Sequence, residues 1–189
     1  RKMRAYVDHV LCLLPFEPDA LRRLDGPPGT YVGHPLVERL GELRPDAGDL
    51  AAREAAPPTL LILPGSRGSE LDRLLPVFRD TLARLRAAHG PLDAALPAVA
   101  KHADALRAAL ADWPDPPRLV LGEADKFAAF RRARAALAAS GTVTLELALA
   151  RTPTVVAYKV SALEAAIARR LITVPSIVLP NLILGENAM

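Results

Sequence analysis

Thr59-Leu60-Leu61-Ile62-Leu63-Pro64-Gly65-Ser66-Arg67-Gly68-Ser69-Glu70 decides how this chain folds. Five apolar or β-branched residues stop at a Pro/Gly/Ser turn, and a helical period begins at once. Over 69–89, Leu71, Leu74, Leu75, Phe78, Leu82 and Leu85 recur on one helical face. Ser69 with Asp72 reads as a capping box, and Pro76 predicts a kink. A second stretch repeats the design: Ala138-Ala139-Ser140-Gly141-Thr142 precedes Leu145-Glu146. In a parallel α/β sheet such loops set helix N-termini at the carboxyl edge of the strands, where these folds hold phosphates.

Outward from these loops the strand–helix alternation continues. The patterns predict strands at 59–63, 94–97, 118–121, 135–139, 154–158 and 176–179. They predict helices at 69–89, 101–111, 125–133, 142–150 and 161–171. Such alternation implies an α/β fold, a Rossmann-like parallel sheet with helices on both faces. Before it, 1–8 reads as the tail of a helix and His9 to Leu14 as a strand. Residues 41–58 read as a connector with one short helix.

Composition narrows the function classes. Of 24 basic residues only 4 are lysines, and the net charge is +3 with 21 acidic residues, too balanced to single out nucleic acid. Arg131, Arg132 and Arg134 form a basic run that reads as a solvated helix face. Cys12 is the only cysteine, which excludes an intramolecular disulfide and reads as a small buried hydrophobe. No 18-residue apolar run marks a membrane span, and no signal peptide is visible. The chain opens on Arg1 and ends on Met189, and reads as an excerpt of a longer protein.

Several residues carry candidate chemistry, each with a plainer alternative. Arg67 can pair with a phosphate in fork geometry, or stand exposed on an ordinary turn. Ser140, Gly141 and Thr142 offer hydroxyls and free N–H groups suited to a diphosphate. Glu146 can accept from a ribose diol, or only complement the helix dipole. His34, in Gly33-His34-Pro35, either meets a ligand or bonds its own loop. Asn181, after the predicted strand 176–179, either faces the same edge or serves a turn. No His/Cys cluster has metal-ligand spacing, and no nucleophile elbow or Walker loop occurs.

Six segments occur together in order: LLPFEP (13–18), YVGHPL (31–36), LPGSRGSE (63–70), LAASGTVTLE (137–146), TPTVVAYKV (152–160) and VLPNLILG (178–185). In this the chain resembles the lipid-A-disaccharide synthase family, inverting glycosyltransferases of the two-Rossmann-domain GT-B type. One departure is Arg134 where the family carries an acidic residue. The resemblance implies transfer of 2,3-diacylglucosamine from its UDP derivative to 2,3-diacylglucosamine 1-phosphate, giving lipid A disaccharide 1-phosphate and UDP. It implies that 1–36 ends the N-terminal acceptor domain and hinge, and that 37–189 is the donor domain, truncated at its C-terminus.

By the same resemblance Ser140, Gly141 and Thr142 match the diphosphate loop, and Glu146 matches the ribose carboxylate. Arg67 would stabilise charge on the departing UDP, with Asn181 and His34 as further substrate contacts. The general base is expected outside this stretch, so the piece alone should be inactive. The resemblance further implies no cofactor, no metal and no nucleic acid. It implies peripheral attachment to the cytoplasmic face of the bacterial inner membrane, with a homodimer possible. Two other readings stay open. One is a GT-B enzyme acting on UDP-N-acetylglucosamine, of the peptidoglycan transferase or 2-epimerase type. The other is a non-catalytic binding or nucleic-acid module, against which stands the lack of an aromatic platform and of a recognised nucleic-acid motif.

Overall fold

The chain's structure is a computed structural model that describes residues 2–160, 170 and 176–188. Strands β1 (Val10–Cys12) and β2 (Gly29–Tyr31) pair in parallel as a separate two-stranded sheet. Helix α1 (Glu17–Arg23) connects them. The main sheet holds β3 (Thr59–Leu63), β4 (Asp93–Ala98), β5 (Arg118–Leu121), β6 (Ala135–Ala139) and β7 (Thr154–Ala157). All five are parallel, in the order β5-β4-β3-β6-β7. Helices α2 (Leu40–Leu43) and α3 (Ala47–Arg53) precede the sheet. Helices α4 (Gly68–His89), α5 (Ala103–Leu110), α6 (Glu123–Arg132) and α7 (Val143–Leu149) form its crossovers, and α8 (Leu179–Leu184) follows.

Alternation along each strand sends neighbours to opposite faces. Leu60, Ile62, Ala94, Leu96, Leu137 and Ala139 pack with Leu74, Leu75, Phe78 and Leu82 of α4 and with Leu106 and Leu110 of α5. Leu61, Leu63, Ala95, Ala136 and Ala138 pack against Phe127 and Phe130 of α6, Leu147 of α7 and Leu43 of α2. Each fully buried Leu or Phe contributes about 1.5–3 kcal/mol relative to exposure. Pro76 does not end α4, which runs unbroken from Gly68 to His89 with the proline on its exposed side.

Several expectations change. Residues 176–179 are not a strand: Pro180 lies in the first turn of α8, and Gly185 closes that helix at φ +76°. A proline in the first helical turn lacks only a hydrogen-bond donor the helix does not use, whereas in a sheet interior it removes a ladder bond. The predicted helix 161–171 falls, but for residue 170, outside the described residues.

The stretch 41–58 is more than a connector. Asp46 and Asp49 form a reciprocal cap that starts α3, and α3 docks on α6. The basic run is exposed at Arg132 and Arg134, as a solvated face would be, but its charges are paired. Arg131 and Arg132 both bond the buried Asp49, at 2.6 and 2.8 Å, and Arg134 pairs with Glu54. Burial pushes the Asp49 carboxyl up, but bonds from Arg132, Arg131 and the Asp46 N–H outweigh it and hold the group below the usual carboxylate range. One helical turn on, Arg53 donates to Arg131 O, Arg151 O and Ala150 O at 2.8, 2.6 and 2.7 Å. It thereby caps the carboxyl ends of α6 and α7 together.

Candidate functional site

The winding reverses between β3 and β6. From β3 the chain moves outward through β4 to β5, then returns across the sheet to β6 and on to β7. The crevice at the carboxyl ends of the two strands flanking such a reversal is where open α/β sheets bind ligands. The register pairs Leu63 with Ala138, so the Pro64-Gly65-Ser66-Arg67 loop and the Ser140-Gly141-Thr142 loop leave adjacent strands side by side. The fold thus brings together the two loops singled out in the sequence, which lie more than seventy residues apart.

The two loops differ in what they hold free. In the first, Gly65 turns the chain at φ +103°, and the Glu70 side chain folds back over it. Glu70 Oε2 accepts from the N–H groups of Ser66 and Arg67 at 3.1 and 3.3 Å, and Oε1 accepts from Arg67 Nη1 at 2.7 Å. Glu70, not Ser69 with Asp72, therefore caps α4. Burial raises the Glu70 carboxyl's affinity for a proton. The bonds from the Arg67 guanidinium and from the two N–H groups override that and hold it ionised below its ordinary range. The amides of Ser66 and Arg67 are thus occupied, and the loop presents outward the Arg67 side chain, 80% exposed.

In the second loop the N–H groups of Gly141, Thr142 and Val143 meet no acceptor among the described residues. A Cβ placed on Gly141 would have no neighbour within 4 Å, so the space over the loop is open. The Thr144 hydroxyl and N–H both bond Gly141 O, at 2.7 and 3.1 Å, which fixes the turn. The Ser140 hydroxyl donates to Ile177 O at 2.8 Å and ties the loop to the segment before α8. Glu146, in the first turn of α7, is 17% exposed, and its Oε1 accepts from Lys126 Nζ at 2.9 Å.

The remaining candidates sit differently from expectation. Asn181 lies in α8 rather than at a strand end and is 5% exposed. Its Nδ2 donates to Ser176 Oγ at 3.3 Å, and its Oδ1 accepts from the Ala188 N–H at 2.9 Å, which closes the segment 176–188 on itself. His34 Nδ1 accepts from the Leu36 N–H at 3.2 Å and starts the short 3-10 turn Pro35–Arg39, so its own loop uses one ring nitrogen. A concavity of about 460 Å³ opens at the opposite, amino edge of the sheet, beside Arg53, Thr59, His89 and Arg134. It lies away from both loops. Among the described residues no group of three or more His, Cys, Asp or Glu is arranged to hold a metal ion, and no helix is long and apolar enough to cross a membrane.

Lys126 and Glu70 did not stand out in the sequence. Glu70 was visible three residues after Arg67, the spacing of a reciprocal cap. Lys126 had no such signal, because its contact with Glu146 depends on α6 and α7 sharing a face.

A parallel sheet wound outward from β3, with two glycine-bearing loops at its reversal, defines a Rossmann-like α/β unit of the kind that forms one half of a GT-B glycosyltransferase. The family model for lipid-A-disaccharide synthetase matches residues 1–189, and the chain belongs to that family. It is 57% identical over its full length to a lipid-A-disaccharide synthase of Rhodopseudomonas palustris and 58% identical to one of Nitrobacter winogradskyi, covering 48% of each. A lipid-A-disaccharide synthase of Bradyrhizobium diazoefficiens is 52% identical over the same span, again with 48% of it covered. The chain spans about half the length of the curated relatives it matches.

Proposed function

We propose that this chain is the UDP-sugar half of a lipid-A-disaccharide synthase. The enzyme would transfer 2,3-diacylglucosamine from its UDP derivative to 2,3-diacylglucosamine 1-phosphate. The observation that carries the reading is the pairing of the Pro64–Arg67 and Ser140–Thr142 loops across the switch point, with Glu146 one turn beyond. Residues 37–189 form the donor domain in this reading. Residues 1–36, with their separate two-stranded sheet, belong to the acceptor domain and hinge.

In this reading each candidate residue has a role with which the geometry is compatible. The free N–H groups of Gly141, Thr142 and Val143 bind the diphosphate at the N-terminus of α7. The Glu146 carboxylate accepts from the ribose hydroxyls through Oε2. The Arg67 guanidinium moves from Glu70 onto the departing diphosphate and stabilises the charge that develops there. Asn181 and His34 act near the substrate by fixing the segments that frame the cleft. Inversion needs a base on the acceptor hydroxyl, and that base belongs to the other half of the enzyme. No cofactor takes part. The enzyme works as a peripheral protein on the cytoplasmic face of the inner membrane.

Calorimetric titration of UDP into the full-length protein tests this. Glu146→Ala should weaken UDP by about tenfold, the loss of hydrogen bonds to a charged acceptor. Unchanged UDP affinity in a folded Glu146→Ala protein would remove the ribose role. A panel of acylated and non-acylated UDP-glucosamine donors tests the substrate, and equal turnover of both would overturn the lipid assignment.

A further inference from the structure

We infer that Lys126 is a positioning residue that aims the Glu146 carboxylate at the ribose diol. The inference rests on the proposed nucleotide site. Lys126 is the fourth residue of α6 and Glu146 the fourth of α7. Both helices begin at the carboxyl edge of the sheet and pack on the same face, so the two side chains meet at the ligand edge. Lys126 Nζ lies 2.9 Å from Glu146 Oε1, and the side chains are 26% and 17% exposed.

The lysine is itself held in place. Its ammonium lies 4.6 Å from the ring centroid of Phe127 and 5.8 Å from that of Phe130, both buried in the core. A cation over aromatic faces is attracted to them, and the packed rings limit where it can go. A positive charge near a helix N-terminus opposes the helix dipole, so the stability of α6 is not what this lysine serves.

The pairing has a chemical consequence for the carboxylate. A glutamate on an open edge samples several rotamers, and a diol contact made from one of them must fix that rotamer on binding. With Oε1 engaged by Lys126, the carboxylate plane is set before the ligand arrives. Oε2 has no partner among the described residues and is left for the two adjacent hydroxyls. The ligand class that profits is a ribonucleotide with both hydroxyls present. A 2′,3′-dideoxy nucleotide gains nothing from the arrangement.

The test uses the full-length protein, with UDP and 2′,3′-dideoxy-UDP titrated by calorimetry. Lys126→Met should raise the UDP Kd by about threefold to tenfold, no more than Glu146→Ala does, and leave that of the dideoxy ligand within about twofold. Lys126→Arg should recover most of the UDP affinity. Lys126→Met added to Glu146→Ala should have no further effect, since the lysine acts through the glutamate. In steady state the Met variant should raise the donor KM more than it lowers kcat. Equal weakening of both ligands would assign Lys126 to general folding or phosphate binding and overturn the inference. So would an unchanged UDP Kd in a Lys126→Met protein when Glu146→Ala does weaken UDP. If Glu146→Ala itself fails to distinguish UDP from the dideoxy ligand, the ribose reading fails first, and this inference with it.

Discussion

Arg53→Ala should destabilise the sheet-and-helix body by about 3 kcal/mol. The side chain is 8% exposed and makes three bonds to carbonyls that accept from no backbone N–H in turns or loops among the described residues. A hydrogen bond from a charged donor contributes about 1.5–3 kcal/mol, so three at the low end give about 4.5 kcal/mol. Two effects reduce this. Burial disfavours the charged guanidinium and lowers its pKa, so removing it relieves a desolvation penalty. The concavity beside Arg53 also admits water to the orphaned carbonyls. At about 2–4 °C per kcal/mol for a domain of this size, the melting temperature should fall by about 6–12 °C.

Thermal melts of the full-length protein measure the shift. Hydrogen exchange over 47–53 and 143–151 shows where it arises, because α3 and the end of α7 should lose protection before the strands do. Arg53→Lys, which keeps the charge but lacks the fork, should recover less than half of the loss. A melting shift below about 1 °C with unchanged exchange in α3 would refute the idea that Arg53 holds α3, α6 and α7 together.

Further outcomes follow from neighbouring features. Because the folded Asp49 carboxyl is held below its unfolded value of about 3.9, its stabilisation is full above that pH and lost as pH falls through the folded value. Asp49→Asn should therefore lower stability at neutral pH by about 1–3 kcal/mol and flatten the acid limb of a stability–pH curve. An acid limb unchanged in slope would argue against it. Gly65→Ala forces a side chain into positive φ and onto the Glu70 carboxylate, so it should lose about 1–3 kcal/mol in urea unfolding. A neutral effect would mean that the loop relaxes freely. Arg67→Ala should cut turnover of the full-length enzyme by about tenfold to a thousandfold with little change in melting temperature. Wild-type turnover would return Arg67 to the role of a surface cap partner.

The main sheet was legible because each strand pairs an apolar run with an immediate helical period. Thr59–Leu63, Arg118–Leu121 and Ala135–Ala139 fall where the alternation put them. The segment around Asn181 misled because Val178-Leu179 and Ile183-Leu184 are as apolar as a strand, and hydrophobicity over so few residues does not separate strand from helix. Pro180 near its start and Gly185 after its end carried the correct signal. The arginine cluster was illegible for another reason. Arg131 and Arg132 find their partner Asp49 about eighty residues earlier, and no local pattern encodes a contact of that range. At the site, residue types and order announced both loops, but only the strand order showed that they are neighbours.

The Glu70 carboxylate folded over Gly65 has a thermodynamic consequence for the two halves of the crevice. The Pro64–Arg67 loop carries its own counter-anion and is shaped before any ligand arrives, so binding spends no backbone entropy there. The Ser66 and Arg67 amides contribute equally little to affinity, since an incoming phosphate would only trade places with a carboxylate already bonded. The Ser140–Thr142 loop is the reverse case, with three amides solvated until a ligand displaces their water. Under the proposed function, affinity for the resting nucleotide would therefore accrue on the β6 side. On the β3 side the proposed role reserves the Arg67 guanidinium, paired with Glu70 at rest, for negative charge that would appear only as the bond breaks.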